Sequence, residues 1–165
     1  MFVKNGIEVS DASDTFVHKQ FNAMSNDDRR NLGRNIQYLT ITHENEVYTI
    51  ANFHGLWSGA GKGDTDERIA QSKSIRRIIE TDFKGKIVLV GDFNVNPETE
   101  SMRIVDGGMI NLIKVNNIAS TRSSFHKWPN KFADYIIVSK DVRVLDFKVL
   151  QENISDHLPI SLVFD

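Results

Sequence analysis

Ile87-Val88-Leu89-Val90 is an unbroken apolar run, entered through Lys86 and closed by Gly91-Asp92. It lacks the polar alternation of a half-solvated strand and reads as a strand covered on both faces. Covering both faces requires layers above and below a sheet, which points to a layered α/β domain. The run is far too short to span a membrane.

The flanking segments fit that frame. Asn35–Thr42 and Val47–Phe53 read as strands joined by a turn at His43-Glu44-Asn45-Glu46, a hairpin. Trp57–Gly63 holds three glycines and reads as a mobile loop. Asp66 is placed to cap a helix running to about Thr81, with Ile69, Ile75, Ile78 and Ile79 along one side. Asn96-Pro97 suits the cap and first position of a short helix ending near Gly107-Gly108. Further strands are expected at Met109–Val115, Ala133–Ser139, Val142–Leu150 and Pro159–Phe164. Asn22–Gly33 carries charges of both signs and reads as a polar loop.

No repeat or low-complexity tract divides the 165 residues, so one domain over 1–165 is expected. Twenty Lys and Arg against 22 Asp and Glu give a net charge of −2. That excludes a polybasic scaffold holding nucleic acid by charge alone, though not a local basic patch. The absence of cysteine excludes a disulfide framework and a thiolate zinc site. It also fits a reducing compartment. Met1-Phe2-Val3-Lys4 does not lead into the apolar stretch of a secretory signal, so a cytoplasmic protein with no membrane span is expected.

Four short elements carry candidate chemistry. Asp92 and Asn94 follow the buried strand, and a carboxylate with an amide oxygen there suits a hard divalent cation or the orientation of a water. A turn in which Asp92 caps backbone N–H groups would use the same residues. Asp156 and His157 are adjacent in Ser155-Asp156-His157, and each needs its own partner. Asp134 opens the apolar segment Tyr135–Val138, where an unpaired carboxylate is costly and an imidazolium is a suitable partner. His54, followed by Gly55, ends the second strand of the hairpin and suits either a turn or a catalytic role.

The ordered set Asn52-Phe53-His54-Gly55, Gly91-Asp92-Phe93-Asn94, Asp134-Tyr135-Ile136 and Ser155-Asp156-His157-Leu158-Pro159 resembles the endonuclease/exonuclease/phosphatase superfamily, whose fold is DNase I-like. Arg68-Ile69-Ala70-Gln71, Asn96-Pro97 and Thr121-Arg122-Ser123 are supporting matches. The resemblance implies a four-layer α/β sandwich, two packed β-sheets flanked by helices. It also implies hydrolysis of phosphate esters, as phosphodiesterase, nuclease or phosphatase, by in-line attack of water with Mg²⁺ or Mn²⁺.

Carried over by residue, Asp92 resembles the aspartate that orients or deprotonates the water, with Asn94 holding phosphate or metal. Asp156 resembles a metal ligand, joined by Asp92 and Asn94. Asp134 would orient His157, and His157 and His54 would contact the phosphoryl oxygens. Trp57, Arg122 and Trp128 are candidate substrate contacts, and Trp57 with Phe125-His126-Lys127-Trp128 reads as a rim of aromatics and cations suited to stacking on a base and contacting a phosphate; packing of those aromatics against the body is the alternative. The family's early Asn and its metal-binding Gln-Glu step have no counterpart, because Glu8 stands in unmatched surroundings and reads as a surface residue. The expectation is therefore an N-terminally truncated form of the fold. Met1–Ile7 is read as the start of a strand that lies after that glutamate. Two consequences are expected: a homodimer whose second copy covers the exposed apolar gap, and weakened metal binding. A catalytically weak or inactive remnant that only binds phosphate-bearing ligands or a partner is the alternative function.

Overall fold

The structure, a computed structural model, describes residues 1–19, 32–59 and 61–165. The polar loop expected at 22–33 lies, but for its last two residues, outside the described residues. In chain order the elements are β1 (Val9–His18), β2 (Arg34–His43), β3 (Glu46–His54), α1 (Asp66–Thr81), β4 (Lys86–Asp92), α2 (Glu100–Val105), β5 (Ile110–Asn111), α3 (Leu112–Val115), β6 (Asp134–Val138), β7 (Val144–Val149) and β8 (Ile160–Phe164).

Six strands form one sheet in the order β1-β2-β3-β4-β6-β5, and β7 and β8 pair in a second. The β2–β3 hairpin closes at His43↔Glu46 through Glu44 and Asn45, both at positive φ, a turn whose twist matches the strands. β3 and β4 run parallel with α1 as the crossover between them, while β6 lies antiparallel beside β4.

β4 accounts for its unbroken apolar sequence by feeding two cores. Leu89 joins Ile75, Ile78 and Ile79 of α1, Met102 and Val105 of α2, and Ile137 of β6. Val88 joins Ile136 and Val138 of β6, against which Leu162 and Phe164 of β8 pack. Each such fully buried aliphatic chain contributes about 1.5–3 kcal/mol of transfer free energy.

Several elements differ from expectation. Thr65, not Asp66, caps α1, its hydroxyl accepting from the Arg68 N–H; Asp66 and Glu67 sit in the first turn, where they complement the helix dipole. The buried face of α1 begins at Arg68, and Ile69 is only half-buried. Thr99 rather than Asn96 caps α2, because Thr99 Oγ1 accepts from Met102 N. The strand expected at Met109–Val115 is cut to two residues, since the Asn111 side chain accepts from Ile113 and Lys114 N–H and starts α3. Met1–Glu8 forms no strand; the first strand is β1, at the sheet edge. Its sequence is polar for most of its length and mostly exposed, so it lacks the apolar signal of a core strand. Leu39, Ile41, Ile50 and Val90 line a cavity of about 340 Å³ with Met1, Phe2, Val3, Lys4 and Ile7. Glu8 is exposed, in keeping with a surface residue. No helix among the described residues is long and apolar enough to cross a membrane.

Candidate active site

Register places three functional side chains in one row. His54 ends β3 opposite Asp92, which ends β4 opposite Asp134, which begins β6. Directly paired residues of a sheet project to the same face. Beneath this row, Phe93 packs between Phe53 and Tyr135 with centroids 4.4 and 5.1 Å apart, and Tyr135 Oη donates to Val95 O at 2.8 Å. Strand ends carrying the row are thereby fixed to a rigid aromatic floor.

His157 arrives from the segment before β8. Its Nδ1 lies 2.8 and 3.0 Å from the two Asp134 carboxylate oxygens, and Arg122 Nη1 donates to its Nε2. The Asp134 carboxylate accepts, so Nδ1 carries a proton directed at it. The Arg122 loop is held to the His157 segment by backbone bonds, Leu158 N to Thr121 O at 3.0 Å and Ser123 N to Asp156 O at 3.2 Å. Arg122 also donates to Asp156 Oδ2 at 3.2 Å, and His126 Nδ1 lies 3.6 Å from the same oxygen.

Charge is concentrated here. His157 Nε2 stands 4.0 Å from Asp92 Oδ2 and 3.8 Å from Asp156 Oδ2, and His54 Nε2 stands 3.9 Å from Asp92 Oδ2. Burial, then the neighbouring Asp92 charge, pushes the Asp134 carboxyl above its ordinary range despite His157 and Arg122. Burial of Asp156 works the other way from its neighbours, and the pull of His157 and Arg122 prevails to hold it below that range. Burial lowers His54, only partly opposed by Asp92. Ligand atoms of Asp92, Asp134 and His157 lie within 4.8 Å of one another.

Asn94 does not face alongside Asp92 as strand alternation suggests. It lies past the end of β4 at φ 56°, in the left-handed region, and is 3% exposed. Its N–H donates to Asp92 Oδ1 at 2.8 Å, its Nδ2 donates to Gly55 O at 3.1 Å, and its Oδ1 accepts from Lys62 Nζ. The glycine-rich loop is tied to α1 at Leu56, Gly61 and Gly63. Arg68, 2% exposed, donates to the carbonyls of Leu56, Gly61 and Gly63, and Gln71 Oε1 accepts from Leu56 N at 3.0 Å.

A cavity of about 680 Å³ opens over the row. Its walls include His54, Trp57, Asp92, Asn94, Arg122, Trp128, Asp156 and His157, so the expected site residues come together with Asp134 beneath. Trp57 and Trp128, 46% and 75% exposed, stand at its rim. One further wall residue, Lys62, does not emerge from the sequence alone. The signal for Lys62 is a lone cation between Gly61 and Gly63; His126 lines the wall beside Trp128, where the rim of aromatics and cations is expected.

Residues 29–157 match the profile of the endonuclease/exonuclease/phosphatase family. The chain belongs to that family. No curated protein matches it by sequence. Solved structures of similar fold include a mannosyl-6-phosphatase from Bacteroides thetaiotaomicron VPI-5482, at 16% identity and TM-score 0.70, over 96% of this chain and 67% of that one. A second B. thetaiotaomicron family protein superposes at 16% identity and TM-score 0.74, over 96% and 65%. D. rerio TDP2 complexed with single-strand DNA product superposes at 14% identity and TM-score 0.68, over 96% and 68%. The chain thus spans about two thirds of the length of these family folds, and the DNase I-like α/β architecture is that of its neighbours.

Proposed function

We propose that this family member hydrolyses phosphate esters by attack of water, with a divalent cation, Mg²⁺ or Mn²⁺. The observation that carries the reading is the His54–Asp92–Asp134 row with His157 set over it by Asp134 and Arg122. Phosphoryl transfer demands positioning and charge neutralisation more than covalent help from the protein. Asp92, at the centre of the row, orients the water and accepts its proton. His157, steered by Asp134, and the Arg122 guanidinium face the phosphoryl oxygens, with His54 on the opposite side of Asp92.

A hard cation fits the donor set, because burial and Asp92 together disfavour the charged form of Asp134, a penalty that a bound cation reverses. Asp92 and Asp156 would hold it. Asn94 Oδ1, already engaged by Lys62, is a poorer ligand than its sequence position suggests. When bound, the cation supplies neutralisation of the developing phosphoryl charge. The rim tryptophans support nucleic acid as one substrate class, by stacking on bases.

Binding without cleavage is the second reading. It is favoured by the fact that, among the described residues, no glutamate joins the candidate ligand group. A panel of phosphate monoesters, diesters and short oligonucleotides with Mg²⁺ or Mn²⁺ separates the two, with Asp92→Ala and His157→Ala as controls. Turnover lost in both variants supports hydrolysis at this site; turnover surviving both rejects the assignment. The homodimer belongs to the same proposal, since Met1, Phe2, Val3, Ile7 and Val9 are exposed; light scattering that returns a monomer mass would remove it. The lack of cysteine supports the cytoplasmic placement.

A further inference from the structure

Lys62 is 8% exposed, yet it forms no ion pair within 4 Å among the described residues. Its ammonium carries three donors, and one is spent on Asn94 Oδ1. A buried cation with unspent donors, favoured only through space by the Asp92 and Asp134 charges, is costly to keep. The side chain is not needed to anchor its loop. Anchoring falls to the Lys62 carbonyl, which accepts from Asn96 N at 2.8 Å, to Arg68, which donates to the Gly61 and Gly63 carbonyls on either side, and to Asp64, which accepts from Ser101 N.

Local backbone geometry turns Lys62 inward. Gly61 has φ +80°, and a Cβ added there would meet nothing within 4 Å, so glycine serves the turn rather than close packing. Asn94, itself turned by its positive φ and tied through Nδ2 to Gly55 O, presents Oδ1 to the ammonium. Both Lys62 and Asn94 line the same cavity wall as Arg122 and His157. A desolvated cation in the wall of an anion-binding cavity, held by one neutral oxygen, is poised for an anion that arrives and leaves.

We propose that Lys62 is a phosphate-contacting residue of this site and that Asn94 is its positioning residue. The proposal rests on the phosphoester reading for the nature of the anion. Lys62 stays protonated throughout and exchanges no proton; its ammonium donates to a non-bridging phosphoryl oxygen. As the charge on those oxygens grows, the contact strengthens.

The chain has no native cysteine, which permits a charge-restoration experiment. Lys62→Met is expected to lower kcat/KM about 10²-fold with Mg²⁺ present. The loss should be larger for p-nitrophenyl phosphate, a dianion, than for its monoanionic diester, whereas loop damage would lower both alike. Lys62→Cys alkylated with 2-bromoethylamine, which rebuilds the ammonium, should recover most activity, and the same variant alkylated with iodoacetamide should not. Binding of inorganic phosphate, followed by titration calorimetry, should weaken about tenfold in Lys62→Met, the scale of one charge-assisted hydrogen bond. Phosphate binding weakened by the substitution in a chain that hydrolyses nothing would support the contact while ending the hydrolase reading. Unchanged turnover and unchanged phosphate binding in Lys62→Met would overturn the contact and leave the hydrolase reading standing. Equal recovery with both alkylating agents would also overturn it.

Discussion

Asp92 and Asp134 occupy directly opposed positions on β4 and β6, two carboxylates facing one another across neighbouring strands. Like charges so placed destabilise a sheet by about 0.2–1 kcal/mol. The arrangement is therefore kept at a cost to stability.

Asp92→Asn should remove that repulsion while keeping the oxygen that accepts from Asn94 N. The thermal midpoint is expected to rise by about 1–3 °C without metal, with hydrolysis falling at least about 10²-fold. Added Mg²⁺ should raise the midpoint of the parent chain and raise that of the variant less. Calorimetric scans with and without EDTA measure both effects.

Two aspartates should respond to pH with opposite signs. The Asp134 carboxyl is raised by burial and by Asp92, so its contribution is complete below the ordinary value of 3.8 and is lost as pH rises through the raised one. Asp134→Asn should therefore gain on the parent chain as pH rises above that ordinary value. Burial tends to raise Asp64 as well, but the hydrogen bonds of Ser101 and Glu100 prevail and hold it low. Its contribution is present above 3.8 and is lost as pH falls through the lowered value. Asp64→Ala should cost about 1–2 kcal/mol at neutral pH, and this deficit should narrow in acid. Urea titrations in EDTA from about pH 2 to pH 7 decide both.

Arg68 donates to three loop carbonyls from a fully buried position. Arg68→Met leaves those carbonyls without their donor and should cost about 3 kcal/mol. At a urea dependence of about 2 kcal/mol per molar, the midpoint should fall by roughly 1.5 M. Because the same loop carries Trp57 and Lys62, activity should fall even under conditions where the variant stays folded. A variant as stable as the parent would show that the strap is not made in solution.

Gly91 and Gly55 mark close backbone approaches at the site end of β3 and β4. A Cβ on Gly91 would lie 2.0 Å from Phe53 O, at φ +143°, and one on Gly55 would lie 2.2 Å from Phe93 O. Gly91→Ala should destabilise the fold by more than about 2 kcal/mol. Gly63→Ala, with nothing within 4 Å of the new methyl, should leave the thermal midpoint within about 2 °C of the parent. Equal midpoints for the two variants would contradict the packing at the strand ends.

Much of this is legible along the chain. The hairpin, α1, β4, β6 and β8 announce themselves through apolar periodicity and turn residues, because burial of a face imposes a repeat that the sequence must carry. His54, Asp92, Asp134 and His157 are readable as one set because their motifs stand at strand ends, and the structure brings all four together. β1 escapes notice because an edge strand that is mostly solvated needs no apolar alternation. The segment from Met109 to Val115 looks like a strand because Asn111, as a cap, competes with apolar neighbours that favour either state.

What the chain could not express locally is register and chain reversal. That His54, Asp92 and Asp134 form one row depends on how β3, β4 and β6 align, and a shift of one residue would send Asp92 to the opposite face. That Asn94 turns away from the row, gripping Lys62 and Gly55, depends on a left-handed backbone held by partners 32 and 39 residues away. Residue types and spacing determined which groups are candidates for the chemistry, because their charge and the ends of buried strands are written in the chain itself. Only tertiary structure decided which of them meet, since that is set by hydrogen bonds between segments distant in sequence.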